Sequence, residues 1–354
     1  MNSFERINNI LHHRPVDRIG IFEHFWPGTL EAWSGHLNGA EDLEALFDFD
    51  IVNTWVFNYM ADLDFVPQVV SETEDTITKL DGNGATLKLH KHHDTTPEHV
   101  AFSVTDRDVW ESKIKPFLKV EDRRINFESY RKLRKRAKDN EKFLMCSSVN
   151  VFECMHPVCG HEEMLVGMAL DPDWIADMVD TYSDLIIGLM KRLFEKEGEP
   201  DGIMFYEDMG YKGTPFMSPA MYRDLIYPGH KKTFDFAHSL GKQVTMHSCG
   251  FVEPLLPDLI DAGLNCLQAM EVKAGMDLVR IYQNHGDKLA LFGGMDVRTI
   301  LSGDKAQIDA ELERKLPVVK QGSYILQSDH SLPPDTDIEL YRYFLKKGLE
   351  MGRY

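Results

Sequence analysis

The sequence contains few cysteines and comparatively few positive charges. Its 354 residues include five cysteines, an odd and sparse number that argues against a disulfide framework and favours a reducing, cytoplasmic location. Lysine and arginine number 39 against 57 aspartates and glutamates, which gives a formal net charge of -18 at pH 7. A chain this acidic repels phosphate backbones and anionic lipids, so we expect neither a nucleic-acid-binding nor a membrane-surface protein.

Long apolar segments and a dinucleotide-binding motif are also missing. No run reaches the roughly 18 apolar residues of a membrane-spanning helix. Residues 1–6 lack the basic start and apolar core of a signal peptide. No Gly-x-Gly-x-x-Gly opens a strand–helix unit, which disfavours an open doubly wound sheet. The 43% of hydrophobic residues can form a large core without a disulfide or a structural metal.

From about residue 143 onward, short apolar runs alternate with helical patterns. The runs that predict strands are 143–147, 202–206, 243–247, 265–268, 289–293 and 324–327. Rougher units around 18–22 and 49–52 bring the total close to eight. We therefore predict one α/β domain over residues 1–354, folded as a (β/α)8 barrel of the TIM type and preceded by a helix over 3–14.

One segment departs from this alternation. Two alternating runs flank Asp81-Gly82-Asn83-Gly84, a combination typical of an antiparallel hairpin with a tight turn. The sequence therefore predicts an inserted β-hairpin at about 66–92.

Reactive side chains follow several of the predicted strands. In a parallel barrel, functional residues lie at the carboxyl ends of the strands and in the loops just after them, so we expect these side chains to gather at one rim. They are Glu207 and Asp208, His247 and Cys249, Gln268, Gly293, Gly294 and Asp296, and Asp329 and His330.

His247 and Cys249 form the sharpest pattern. Residues two apart on a strand point to the same side, so the imidazole and the thiol project together into the barrel mouth. Such a pair suits tetrahedral zinc, and His330 is the natural third ligand. The alternative is that Cys249 is a small buried apolar residue and His247 a hydrogen-bonded core histidine.

The other rim residues leave two interpretations open. Glu207 and Asp208 could bind substrate, act as general acid or base or complete a metal site, or they could be a solvated carboxylate pair. Gly293 and Gly294 could let a ligand approach the backbone, with Asp296 beside them, or they could form a tight strand-to-helix turn.

The rim motifs resemble those of the uroporphyrinogen decarboxylase superfamily in order and spacing. The matching stretches are Glu207-Asp208-Met209-Gly210, Ser218-Pro219 with Tyr222 and Tyr227-Pro228, His247-Ser248-Cys249-Gly250, Phe292-Gly293-Gly294-Met295-Asp296 and Asp329-His330-Ser331-Leu332-Pro333-Pro334-Asp335-Thr336. The resemblance implies a (β/α)8 barrel whose site lies at the carboxyl-terminal mouth.

The chain departs from the true decarboxylases of that superfamily. Their arginine-rich Arg-Gln-Ala-Gly-Arg stretch is matched here by residues 22–28, which contain no arginine. The position of their pyrrole-binding aspartate falls near Phe57, where this chain has no aspartate. A substrate with eight carboxylates is electrostatically unsuited to a chain of this charge. His330 does match a decarboxylase histidine.

The other branch of the superfamily contains zinc-dependent methyltransferases, such as methylcobalamin:coenzyme M methyltransferase, that work with methylated corrinoid proteins. Its zinc ligands are His-x-Cys and a later cysteine. His247 and Cys249 match the first two, and His330 stands where the third, a cysteine, would be, so the resemblance implies zinc on His247, Cys249 and His330. One thiolate and two imidazoles leave zinc at a formal charge of +1, a stronger Lewis acid that favours a methoxyl or similar oxygen substrate. Glu207 or Asp208 would complete the coordination or handle a proton.

The expected partners are therefore a small-molecule substrate and a corrinoid protein, and a homodimer is compatible with the resemblance. The alternatives are a carboxy-lyase acting on a carboxylated substrate and a metal-free binding protein on the same barrel, with His330 and Asp208 at its polar centre.

Overall fold

The computed structural model describes residues 1–37, 43–92 and 96–354, which form two β-sheets surrounded by helices. The strands are β1 (Gly20–Ile21), β2 (Ile51–Trp55), β3 (Gln68–Glu72), β4 (Thr76–Leu80), β5 (Ala85–His90), β6 (Glu98–Phe102), β7 (Phe143–Val149), β8 (Gly202–Tyr206), β9 (Val244–Ser248), β10 (Cys266–Ala269), β11 (Ala290–Gly293) and β12 (Tyr324–Leu326).

The larger sheet is an eight-stranded parallel barrel, as predicted. Its strands are joined in the order β1-β12-β11-β10-β9-β8-β7-β2. The gap between β1 and β2 is bridged by Asp50, whose backbone N–H donates to the Ile21 carbonyl at 2.9 Å and whose carboxylate accepts the Ile21 N–H at 2.9 Å. Arg6 and Arg18 pair with the same buried carboxylate, so its charge is compensated where the barrel closes.

Helices cover the outside of the barrel. They are α1 (Ser3–Leu11), α2 (Pro27–Ala32), α3 (Ser34–Leu37), α4 (Leu43–Leu46), α5 (Arg107–Val109), α6 (Phe127–Asp139), α7 (Val151–Leu170), α8 (Pro172–Glu197), α9 (Pro219–Met221), α10 (Tyr227–Ser239), α11 (Leu256–Ala262), α12 (Leu278–His285), α13 (Val297–Leu301), α14 (Lys305–Val319) and α15 (Ile338–Met351). Within the described ranges, none is long and apolar enough to cross a membrane.

Side-chain caps fix several of these helices. Asp171 caps α8, whose first residue is Pro172, and this pairing of an acidic cap with proline at the first position favours helix initiation. The N-terminal helix ends at Leu11, earlier than the predicted residue 14, and His13 follows it with a positive φ of 53°.

The second sheet is larger than the predicted insertion. The β4–β5 hairpin is present, but β3 and β6 flank it to give a four-stranded antiparallel sheet in the order β3-β4-β5-β6. The insertion therefore runs to Phe102 rather than to about residue 92. We call this sheet, β3 to β6, the arm. The prediction that the chain is one domain stays a prediction.

Helix α7 is broken near its middle. Pro157 lies inside the helix, and Gly160 has φ 74° and ψ 163°, which is not a helical conformation. A Cβ on Gly160 would lie 2.5 Å from the Phe102 ring, so the arm packs directly against this break.

Candidate metal centre

The candidate centre lies where β8 and β9 end. The register places Tyr206 opposite His247, and His247 opposite Gln268 on the next strand. Because these strands are parallel, the residues that follow them emerge at the same rim of the barrel. Asp208, His247 and Cys249 are brought together there, and we call these residues the rim triad.

Each residue of the rim triad offers one ligand atom, and the three atoms lie within 4.8 Å of one another. The Cys249 Sγ is 3.2 Å from the His247 Nε2, and that nitrogen is 3.3 Å from the Asp208 Oδ1. Two ligands on a tetrahedral zinc, at about 2.0–2.3 Å from it, lie roughly 3.3–3.6 Å apart. The nitrogen, sulfur and oxygen donors and their spacing therefore fit a Zn²⁺ ion.

The orientation of His247 is fixed by a chain of amides. Its Nδ1–H donates to the Gln268 Oε1, and the Gln268 amide in turn donates to the Gln327 Oε1 at 2.7 Å. In the neutral imidazole, a donor Nδ1 leaves the Nε2 lone pair directed towards Cys249 and Asp208. Outer hydrogen bonds of this kind select the ligating nitrogen in metal–histidine sites.

The backbone around Cys249 is also held. Its N–H donates to the Asp208 Oδ1 at 2.7 Å, and the next N–H, of Gly250, donates to the Glu271 Oε2 at 2.8 Å. A Cβ on Gly250 would lie 2.2 Å from the Gly210 carbonyl carbon, so the loops after β8 and β9 pass in backbone contact. Glycine is required at this approach.

Burial and mutual charge set the protonation of the rim triad. Burial raises the pKa of the Cys249 thiol above its ordinary value, although His247 opposes this. Burial would lower the pKa of His247, but the neighbouring Cys249 and Asp208 charges outweigh it and raise that pKa. Burial would raise the pKa of Asp208, but the charge of His247 lowers it. The protonation of each group therefore depends on that of the other two.

Comparison with known families and structures shows the family and the fold to which this barrel belongs. The family model described as uroporphyrinogen decarboxylase (URO-D) matches residues 74–348. The chain belongs to the uroporphyrinogen decarboxylase family. No curated protein matches it.

A solved structure shows the same fold at low identity. A methyltransferase from Methanosarcina mazei superposes with a TM-score of 0.68 and 15% identity, covering 99% of this chain and 98% of that one. A protein described as a vitamin-B12-independent methionine synthase from Listeria monocytogenes gives a TM-score of 0.47 and 13% identity, covering 96% and 97% of the two chains. At 15% identity, the likeness to the Methanosarcina mazei methyltransferase shows the fold of this family member and nothing finer.

Glu207 lies apart from the rim triad in this URO-D family member. Its carboxylate is fully buried, accepts the N–H groups of Phe152 and Glu153 at 2.8 and 3.0 Å, and lies 2.6 Å from the His230 Nε2. It therefore anchors the N-terminus of α7, a position where the helix dipole favours a carboxylate, rather than facing the mouth. Its predicted catalytic role is untested, and its contacts are structural.

His330 is not among the side chains gathered in the rim triad. Its Nδ1 lies 3.2 Å from the Ser331 carbonyl oxygen, and its ring stacks on Trp26 with centroids 6.3 Å apart. Asp208 occupies the place in the donor set for which the sequence favoured His330. Neither ligand assignment is tested by these contacts, and both stay predictions.

The predicted cofactor-binding residues make contacts of a tight turn. Gly293 and Gly294 have positive φ values of 97° and 76°, and their carbonyls accept hydrogen bonds from the Tyr324 hydroxyl at 2.7 Å and the Lys315 ammonium at 2.6 Å. Asp296 caps α13 and pairs with Arg298 at 2.7 Å. Cofactor binding by these residues stays a prediction.

Aromatic and histidine side chains that lie beside the triad were not among the site residues predicted from the sequence. The His24 Nε2 lies 2.8 Å from the Tyr206 hydroxyl, and the Tyr206 ring lies between His247 and Trp55, with centroids at 4.6 and 4.9 Å. Burial lowers the pKa of His24 to about 3, so it is neutral. His24 follows the first barrel strand, and the rim rule applied to that strand would have found it.

Proposed function

We propose that the chain is a zinc-dependent methyltransferase that moves a methyl group between an oxygen-bearing small substrate and a corrinoid carried by a partner protein. The observation that carries the proposal is the rim triad, with its nitrogen, sulfur and oxygen donors at the spacing of a tetrahedral site. The fold neighbour described as a methyltransferase supports this direction.

In this proposal the metal ligands are Asp208, His247 and Cys249. A zinc ion bound there supplies Lewis-acid polarisation of a substrate oxygen. Thiolate, carboxylate and imidazole give a formally neutral centre, so the +1 charge expected with His330 does not apply. The preference for oxygen rests instead on the donor set, in which a hard carboxylate accompanies a single soft thiolate.

The protein's own groups orient the reactants. Gln268 and Gln327 hold the His247 imidazole in one tautomer, which keeps its Nε2 available for the metal. The Tyr206 and Trp55 rings provide an aromatic surface at the mouth, and Trp55 is 54% exposed, so a flat ring can lie against it. The His24 Nε2 lies 2.8 Å from the Tyr206 hydroxyl, and this contact holds the Tyr206 ring beside His247.

The first test is the metal content of Cys249→Ala. Removing the thiolate takes away one of three protein ligands, so we expect the anomalous zinc signal at the rim triad, in crystals of untagged protein, to fall by at least tenfold. Cys266→Ala is the matched control, because Cys266 is buried on the adjacent strand and lies outside the rim triad. Retention of the rim-bound zinc by Cys249→Ala overturns the proposal.

Two further measurements refine the test. Asp208→Asn should lower zinc affinity and His330→Gln should leave it unchanged; the opposite result returns His330 to the donor set. For activity, cob(I)alamin with methoxylated aromatic compounds, and methylcobalamin with the corresponding phenols, test the two directions by the absorbance of the corrinoid. Decarboxylation without methyl transfer would support the lyase alternative.

A further inference from the structure

A second group of metal-binding side chains lies between the arm and helix α7. His99 is on β6, and His156 and His161 are on α7, on either side of the Gly160 break. One ligand atom from each lies within 4.8 Å of the other two. We call these residues the histidine cluster. It shares no residue with the rim triad.

The break in α7 is what gathers the cluster. Residues five apart on a regular helix are separated by about 140° around its axis, so their side chains leave on different faces. Here the rings of His156 and His161 are nearly parallel, with centroids 4.4 Å apart and an interplanar angle of 18°. Gly160, with φ 74° and ψ 163°, redirects the chain between them. The third ring, of His99, reaches His156 from the arm at 5.9 Å.

His156 has one ring nitrogen beside a carboxylate and one without a partner among the described residues. Its Nε2 lies 3.1 Å from the Glu153 Oε2, and its Nδ1 is buried with no hydrogen-bond partner among the described residues. A carboxylate on one ring nitrogen, with the other nitrogen left as a lone pair, is the usual outer arrangement of a metal-bound histidine. An unsatisfied buried nitrogen is unfavourable, and a bound ion would satisfy it.

The surroundings favour the neutral form of His99 and His161. Phe102 packs on His99 at 5.3 Å, Phe152 on His156 at 6.5 Å and Phe216 on His161 at 4.9 Å, between ring centroids. Burial, together with the neighbouring histidines, lowers the pKa of His161 to about 4, and burial also lowers the pKa of His99. Neutral imidazole is the form that binds a metal, so no proton has to be displaced from these two rings near pH 7.

We propose that His99, His156 and His161 bind a second divalent transition ion, with Zn²⁺ as the suited ion, and that this ion fastens the arm to the barrel. Imidazole nitrogens select Zn²⁺, Cu²⁺, Ni²⁺ or Co²⁺ rather than Mg²⁺ or Ca²⁺. Because one ligand comes from the arm and two from α7, binding is coupled to the docking of the arm. The proposal does not depend on the function of the rim triad.

Cobalt separates the two sites. A Co²⁺ ion on the rim triad has a thiolate ligand and gives a sulfur-to-metal charge-transfer band, whereas one in the histidine cluster does not. We expect Cys249→Ala, without an affinity tag, to bind one Co²⁺ per chain without that band. Adding His99→Gln or His161→Gln should weaken this binding by at least 100-fold. His285→Gln, on α12, is the control histidine variant.

Hydrogen exchange supplies the second readout. Zn²⁺ added to Cys249→Ala should slow exchange of β5 and β6 at least tenfold, and His99→Gln should abolish the effect. Because His99 is exposed, we expect His99→Gln to leave the protein folded. It therefore serves as the test variant if His161→Gln does not fold. The proposal is overturned if Cys249→Ala binds no ion, or if its binding persists unchanged without His99 and His161.

Discussion

The rim triad and the histidine cluster present similar ligands on differently built supports. The rim triad follows β8 and β9 of a continuous parallel ladder, and its loops meet where Gly210 and Gly250 touch through their backbones. The histidine cluster joins a strand of the arm to a helix broken at Gly160, and the contact there is with the ring of Phe102. The loops of the rim triad meet through main-chain contact, whereas the two elements of the histidine cluster meet through side-chain packing.

This difference bears on how each site would respond to its ion. Ligands on rigid elements are held in place before binding, so little ordering free energy is spent when the ion arrives. Ligands on two separate elements lose relative freedom on binding, so the ion orders the arm as well as filling the site. We therefore expect substitutions at the rim to act on the whole barrel and substitutions at the cluster to act on the arm.

Gly250→Ala should have the largest effect. The new Cβ would lie 2.2 Å from the Gly210 carbonyl carbon, and φ there is 76°, so neither backbone can yield without moving a barrel loop. We expect a loss of about 5 kcal/mol or more in the free energy of unfolding, measured in urea, together with loss of zinc at the rim triad. Gly241→Ala is the control, because its φ is 70° and no atom lies within 4 Å of the new Cβ. Equal losses in the free energy of unfolding for the two variants would contradict the inference that the rim is rigid.

Gly160→Ala should have a smaller and more local effect. Its Cβ would meet the Phe102 ring at 2.5 Å, and a side chain on the arm can move where a backbone cannot. The strained φ and ψ add about 1–3 kcal/mol, and we expect a total loss near 3 kcal/mol with faster hydrogen exchange in β6. The double variant with Phe102→Ala should lose less than the sum of the single variants. Faster exchange throughout the barrel would contradict the comparison.

The barrel could be predicted because its strands repeat one pattern. Buried parallel strands are short apolar runs, and each is followed by a helix, so β7 to β12 could be placed from residue types alone. The arm was harder. The β4–β5 hairpin has a Gly/Asn turn that marks it, whereas β3 and β6 are mostly exposed and lack the alternation that identifies a half-buried strand.

The candidate site likewise has residues that sequence patterns predict and residues that they do not. The period of two of a strand predicts that His247 and Cys249 project to the same side, and the rim rule places Asp208 near them. The choice between Asp208 and His330 depends on loop paths, which no local pattern encodes. The histidine cluster was not anticipated, since five-residue spacing on a regular helix argues against a shared site and only the φ of Gly160 reverses that conclusion.

The smallest of the three expected effects is a pH dependence of the free energy of unfolding, which should distinguish the barrel from the arm. Burial raises the pKa of Glu23 to about 8, against opposing hydrogen bonds from Ser328 and His24. The unfolded carboxyl is ionised above its ordinary pKa, while the folded one keeps its proton up to about pH 8, so folding takes up a proton and stability falls as pH rises. Between pH 6 and pH 8 this amounts to about 2 kcal/mol.

Glu23→Gln isolates the contribution of this carboxyl, because buried histidines such as His24 change stability in the opposite direction over the same range. The arm's ion pair between Lys88 and Glu98 is solvent-exposed, so it contributes little to stability. If wild type and Glu23→Gln show the same slope in urea unfolding, Glu23 is ionised in the fold, and the buried acid does not distinguish the barrel from the arm.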